Sequence, residues 1–118
     1  MEKILYIEDY EDTAEAVKAM LTNMGFQAEI ALSGKEGIRK AESHFDLILL
    51  DIMLPDMSGW DVFQALNNRI KGTKYIFLSV IPISTERMDE LKKAGVSDYI
   101  TKPFSKEGLI SRIKKALK

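Results

Sequence analysis

The residues of this 118-residue chain best suited to chemistry stand where short apolar runs stop. Glu8 and Asp9 follow "KILYI" (3–7), Asp51 follows "DLILL" (46–50), Ser79 closes "KYIFLS" (74–79), and Lys102 comes just after "SDYI" (97–100). If those runs are adjacent strands, three carboxylates, one hydroxyl and one ammonium share a cleft. Carboxylates held that close repel, and a divalent cation is the usual way to keep them together. Oxygen ligands at a small open site favour Mg²⁺, which keeps several waters and takes one or two carboxylates plus phosphate oxygens. With that cation and Lys102 neutralising its oxygens, a phosphoryl group is open to in-line attack by a carboxylate, giving an acyl phosphate. Asp51 is the candidate nucleophile, because its strand falls in the middle of the sheet.

The elements that must position these residues are legible in the pattern. The runs 3–7, 27–31, 46–50, 74–79 and 97–100 are short and rich in Ile, Leu, Tyr or Phe, as strands are. Helical spacing separates them. Ala14, Val17, Leu21 and Met24 recur at steps of three and four behind an Asp12-Thr-Ala-Glu15 capping box, and Gly25 ends that helix. Ser33 with Glu36, Ser58 with Asp61, Ser84 and Ser105 open four more helices, the last with Phe104 and Leu109 placed as a hydrophobic staple. Pro82 shortens the start of the fourth. Strict strand–helix alternation with continuously apolar central strands predicts an α/β fold: a flavodoxin-like (βα)5 doubly wound parallel sheet in the order 2-1-3-4-5. In such sheets the site lies outside the carboxyl ends of the strands, where the polar residues collect.

Composition narrows the field further. The length suits a single domain over residues 1–118. Hydrophobic content of 46% and charged content of 30% are those of a globular protein. With no Cys and His44 as the one histidine, disulfides, thiolate catalysis and Cys- or His-rich metal sites are excluded. A net charge of -1 gives no overall pull toward nucleic acid or membrane, and the lysines near the C-terminus read as a solvated helix face. No apolar run reaches membrane-spanning length and no signal-peptide layout precedes the first strand, so the expected location is cytoplasmic.

Taken together, "IED" after the first strand, "LLDIMLPDMSG", "LS" at the fourth strand and "DYITKP" resemble the receiver domain of two-component response regulators, of the single-domain chemotaxis or phosphorelay kind. The resemblance covers essentially the whole chain. It implies that Asp51 accepts phosphate from a histidine kinase or phosphotransfer protein. It also implies that Asp9, Asp51 and the backbone carbonyl of Met53 bind Mg²⁺, with Glu8 binding directly or through water. Ser79 would hydrogen-bond one phosphoryl oxygen and Lys102 pair with another, Tyr99 would rotate inward as Ser79 moves, and the Lys102–Pro103 peptide would be cis. The only chemistry implied is the chain's own phosphorylation and dephosphorylation. The switched face, around helix four, strand five and helix five, would then control a downstream protein or a fused output domain, with the chain a monomer or a phosphorylation-dependent dimer.

Simpler readings exist for each residue. Asp51 could cap a helix, but Ser58 already fills that role. Glu8 and Asp9 beside Asp12 could be a solvated loop, and Tyr99 an ordinary strand residue. An aspartate-based phosphatase needs a second acid two residues after the nucleophile, where Met53 stands. A flavin or nucleotide module needs a Gly- or Ser-rich cradle, and Glu8-Asp9-Tyr10-Glu11-Asp12 would repel phosphate. The main alternative is a receiver-like docking module that works without phosphorylation. Three departures from the family pattern stand out: a bulky Val80 after the fourth-strand hydroxyl, and Met53 and Ile81, neither able to orient a hydrolytic water. The last two predict a long-lived acyl phosphate, and Val80 narrows the path to Asp51 and so bears on donor choice.

Overall fold

The computed structural model describes residues 1–118. Five strands, β1 (Lys3–Ile7), β2 (Gln27–Ala31), β3 (Leu47–Asp51), β4 (Lys74–Ser79) and β5 (Asp98–Thr101), alternate with five helices, α1 (Glu11–Asn23), α2 (Gly34–Lys40), α3 (Gly59–Asn67), α4 (Thr85–Ala94) and α5 (Lys106–Leu117). All strand pairs are parallel and the sheet order is β2-β1-β3-β4-β5, the flavodoxin-like arrangement that the pattern predicts. No helix is long and apolar enough to cross a membrane.

Period-two alternation divides the strand residues between two cores. Leu5, Ile7, Ile48, Leu50 and Phe77 pack against Val62, Phe63 and Leu66 of α3 and Leu91 of α4. Ile4, Tyr6, Leu47, Leu49, Ile76 and Leu78 pack against Val17 and Leu21 of α1 and Leu109, Ile110 and Ile113 of α5. β3 is buried along its whole length, as a strand covered on both faces must be. Asp51 ends the row of Leu47 and Leu49, and Glu8 follows Tyr6 in the same row of β1.

Serine caps open four helices: Ser33 accepts from the Glu36 N–H, Ser58 from Asp61, Ser84 from Arg87 and Ser105 from Gly108. Phe104 and Leu109 lie in the same apolar cluster, as a staple requires. Behind Pro82, α4 starts only at Thr85.

Four expectations need correction. Helix α1 begins at Glu11 rather than behind Asp12; Tyr10 holds the cap position without a side-chain bond, and its carbonyl takes the Ala14 N–H at 3.0 Å. Glu11 and Asp12 then fall in the first turn, where their charge suits the helix dipole. Glu36 does not close a capping box, because its carboxylate takes the Leu32 N–H at 2.8 Å. Both β3 and β5 are shifted one residue toward their C-termini. Asp46 spends its side chain on the Lys3 N–H, and the Ser97 N–H bonds the Tyr75 carbonyl before β5 begins. The shift in β3 makes Asp51 the last residue of the strand, paired with Leu78.

One buried side-chain polar atom has no partner. The Tyr75 hydroxyl is buried, its ring packs edge-on against Phe63, and burial pushes its phenol up to about 12. Removing an unsatisfied buried hydroxyl while keeping the ring relieves a desolvation cost. Tyr75→Phe is therefore expected to raise stability by about 1 kcal/mol, read as a higher urea midpoint at unchanged slope. A lower midpoint would show that the hydroxyl has a partner worth keeping.

Candidate functional site

At the carboxyl edge of the sheet, Glu8, Asp9 and Asp51 offer carboxylate oxygens that all lie within 4.8 Å of one another. The strand order forces this meeting: β1 and β3 are direct neighbours, and each releases its acid at the same edge. From beyond β5, Lys102 reaches across both, its Nζ donating to Glu8 Oε1 at 2.6 Å and to Asp51 Oδ2 at 2.8 Å. The Lys102 N–H donates to the Ser79 carbonyl at 2.7 Å, which fixes where that side chain starts, and the Lys102–Pro103 peptide is cis.

Burial sets the electrostatics. Glu8 is 2% exposed and Asp51 7%, whereas Asp9 stands at the open rim. Burial pushes the Asp51 carboxyl above the ordinary range, and its bonds to Lys102 and the Met53 N–H (3.0 Å to Oδ1) only partly offset that. For Glu8 burial acts in the same sense but loses: Lys102 and the Tyr10 N–H, 3.2 Å from Oε2, hold its carboxyl below the usual value. Partial burial and the neighbouring Glu8 raise Asp9. In Lys102 the two carboxylates outweigh burial and hold the ammonium above its usual value. Two carboxyls raised chiefly by burial, with oxygens of all three acids within 4.8 Å of one another, suit a hard divalent cation.

The two further residues picked out in the sequence, Ser79 and Tyr99, lie on β4 and β5, the strands beyond β3 from β1. Ser79 is buried, its Oγ accepting from the Ile81 N–H at 3.1 Å, while Tyr99 is also buried and its hydroxyl donates to the Ile81 carbonyl. The peptide groups of Ile81 thus link the two. Around the mouth, Met53, Val80, Ile81 and Tyr10 expose 60%, 63%, 50% and 63% of their surface.

Sequence reasoning missed Tyr6 and Asp56. The Tyr6 hydroxyl donates to Glu8 Oε1 at 3.1 Å from inside the core. Its place two residues before Glu8 on a strand was the available signal, since such residues share a face. The Asp56 carboxylate bonds the first two amides of α2, a pairing between segments 22 residues apart that no local pattern announces.

A parallel doubly wound sheet thus gathers an acid trio and a lysine at the carboxyl edge of its strands. The response regulator receiver domain model matches residues 4–114, and the chain belongs to that family. It is 36% identical over 117 residues to the transcriptional regulatory protein CusR of Escherichia coli K12, covering 98% of this chain and 51% of that protein. The chain therefore spans about half the length of the curated relatives it matches. The CheY-like receiver domain protein of Methanospirillum hungatei JF-1 superposes with a TM-score of 0.90 at 32% identity, covering 99% of this chain and 94% of that one. The response regulator TrrA of Thermotoga maritima, solved in complex with Mg²⁺-BeF, superposes at 0.84 with 27% identity, covering 99% of this chain and 100% of that one.

Proposed function

We propose that this chain, read as one receiver domain over residues 1–118, is a phosphorylation-driven switch whose phosphoacceptor is Asp51. The observation that carries the reading is the bridge from Lys102 to Asp51 and Glu8 at the centre of the acid cluster. Asp9, Asp51 and the Met53 carbonyl would hold Mg²⁺. Glu8, whose oxygens accept from Tyr6, Tyr10 and Lys102, would bind the ion directly or through water. When bound, the cation neutralises phosphoryl oxygens and offsets the crowding of the carboxylates.

The chain's own residues do the rest. An Asp51 oxygen attacks the phosphorus of a histidine kinase's or phosphotransfer protein's phosphohistidine; the P–N bond breaks, and its electron pair leaves with the imidazole. Lys102 exchanges its contact with the Asp51 carboxylate for one with a phosphoryl oxygen. Ser79, turning its hydroxyl toward another, gives up the Ile81 N–H. That loosens the β4–α4 loop whose carbonyl holds Tyr99, so the switch passes through Ile81 to the face formed by α4, β5 and α5. A downstream protein or fused output domain that prefers the altered face then binds better. The setting is cytoplasmic, with the chain a monomer or a phosphorylation-dependent dimer.

The exposed apolar side chains of Met53 and Ile81 present no group to orient an attacking water, so the acyl phosphate is long-lived. Intact mass after incubation with Mg²⁺ and acetyl phosphate tests both points. A single phosphoryl adduct is expected, absent in Asp51→Asn and with a chelator, and decaying slowly once donor is removed. Met53→Glu and Ile81→Asn should not slow the decay. No adduct would favour the phosphorylation-independent docking module; an adduct lost at once would overturn the lifetime argument alone.

A further inference from the structure

The loop from Ile52 to Ser58 leaves Asp51, carries Met53 and returns into α3. Its two ends are tied to each other, by the Gly59 N–H on the Ile52 carbonyl at 2.7 Å and by an antiparallel bridge between Met53 and Ser58. Its middle is tied elsewhere. Asp56 Oδ1 accepts from the Gly34 N–H at 2.8 Å and Oδ2 from the Lys35 N–H at 2.9 Å. Next to it Met57 lies on Gly34 so closely that a β-carbon there would come within 2.4 Å of Met57 Cγ.

The arrangement satisfies the opening amides of α2 from two sources. Ser33 Oγ takes the Glu36 N–H at 3.1 Å, and Asp56 supplies the acceptors for the two before it. Those two amides hold the Asp56 carboxyl below the ordinary range, although it lies at the surface. A carboxylate that spends both oxygens on backbone donors at a helix start is an anchor. The Met53 side chain is 60% exposed, so its peptide is placed by the rest of the loop: by Ile52, Leu54 and Met57 packed against the core and by the Asp56 clasp.

We propose that Asp56 is a positioning residue for the cation site: by clasping the β3–α3 loop to the start of α2, it sets where the Met53 carbonyl stands relative to Asp51 and Asp9. This rests on the proposed cation-binding role of those three groups. Outer partners that orient metal ligands typically carry tenfold or more of the affinity.

The test compares Mg²⁺ affinity, from amide shifts of ¹⁵N-labelled protein, in the wild type, Asp56→Ala, Asp56→Asn and Ser33→Ala. The serine variant strips an acceptor from the same helix start without touching the loop, so it reports what loss of capping alone does. Asp56→Ala is expected to weaken Mg²⁺ about tenfold, Asp56→Asn by less because one acceptor survives, and Ser33→Ala by under about twofold. Amide exchange at Met53, measured without Mg²⁺, is expected to quicken in Asp56→Ala alone. Equal weakening in the alanine and asparagine variants would reduce Asp56 to a charge effect, and equal weakening in Asp56→Ala and Ser33→Ala would reduce it to helix capping; either overturns the positioning role. An Asp56→Ala affinity within twofold of a wild type that binds Mg²⁺ overturns it too, leaving the cation site intact. A wild type that binds no Mg²⁺ removes the site and the positioning role together.

Discussion

Lys102→Met is expected to destabilise the metal-free protein by about 3 kcal/mol and to cut phosphoryl incorporation severely. The ammonium is the one cation bonded to Glu8 and Asp51, whose side chains are 3% and 10% exposed, and Met fills similar space without the charge. Removing one member of a buried ionic cluster leaves the others unpaired, which costs more than the pairing itself was worth. The figure sits at the low end of the buried range because Lys102 keeps 19% exposure and water reaches the rim. The pH dependence has a fixed sign. Lys102 is raised from 10.5, so its contribution is fully present below that value and lost as pH climbs through the folded one. Glu8 is lowered from 4.5, so its contribution is present above that value and lost as pH falls through the folded one. The gap between wild type and variant should therefore be widest between those limits and close on either side. Added Mg²⁺ should stabilise the variant more than the wild type, since it restores a positive charge to the same acids. Urea unfolding at several pH values, with and without Mg²⁺, reads all of this. A gap that is flat across pH would mean that Lys102 acts through packing alone.

How much of this was visible in the sequence follows the range of the interactions involved. Leu47 to Leu50 and Ile4 to Ile7 announce buried strands because a sheet covered on both faces needs apolar side chains in both directions. Ser58, Ser84 and Ser105 announce helix starts because a cap reaches only three residues. From the strand order, Glu8, Asp51 and Lys102 could be brought together before any coordinate, as topology alone places strand ends side by side. Where local signals compete, the reading slips. The Asp12 capping signature looks sound, yet Glu8 takes the Tyr10 N–H and the helix starts beside it, an outcome decided by a carboxylate buried for other reasons. Tyr6 and Asp56 escaped because a tyrosine in a strand and an aspartate in a Pro-containing loop have ordinary explanations. Only the contact with Glu8 in one case and with α2 in the other separates them from those.

The same contrast between local and distant constraint makes Gly59→Ala the substitution expected to do most harm to the loop around Asp51. A β-carbon at Gly59 would lie 2.3 Å from the Asp51 carbonyl oxygen, 2.9 Å from Ile52 Cα and 3.0 Å from the Asp51 carbonyl carbon. All three are backbone atoms of the strand end and its loop, so no side-chain rotation relieves the contact. Either α3 withdraws, breaking the bond from the Gly59 N–H to the Ile52 carbonyl, or Asp51 itself is displaced. Overpacking against backbone is expected to cost about 3 kcal/mol, and a displacement near 1 Å at Asp51 to slow phosphoryl incorporation about a hundredfold. Gly25 supplies the comparison. It ends α1 at φ +94° with nothing within 4 Å of its would-be β-carbon, so alanine there meets only the left-handed backbone penalty. Gly25→Ala should lose about 1 kcal/mol and phosphorylate at the wild-type rate. Unfolding midpoints and initial rates with acetyl phosphate, measured side by side, separate a glycine needed for its backbone angle from one needed for its missing side chain. Should Gly59→Ala incorporate phosphate as fast as Gly25→Ala, the close approach of α3 to Asp51 would have no part in placing the proposed acceptor.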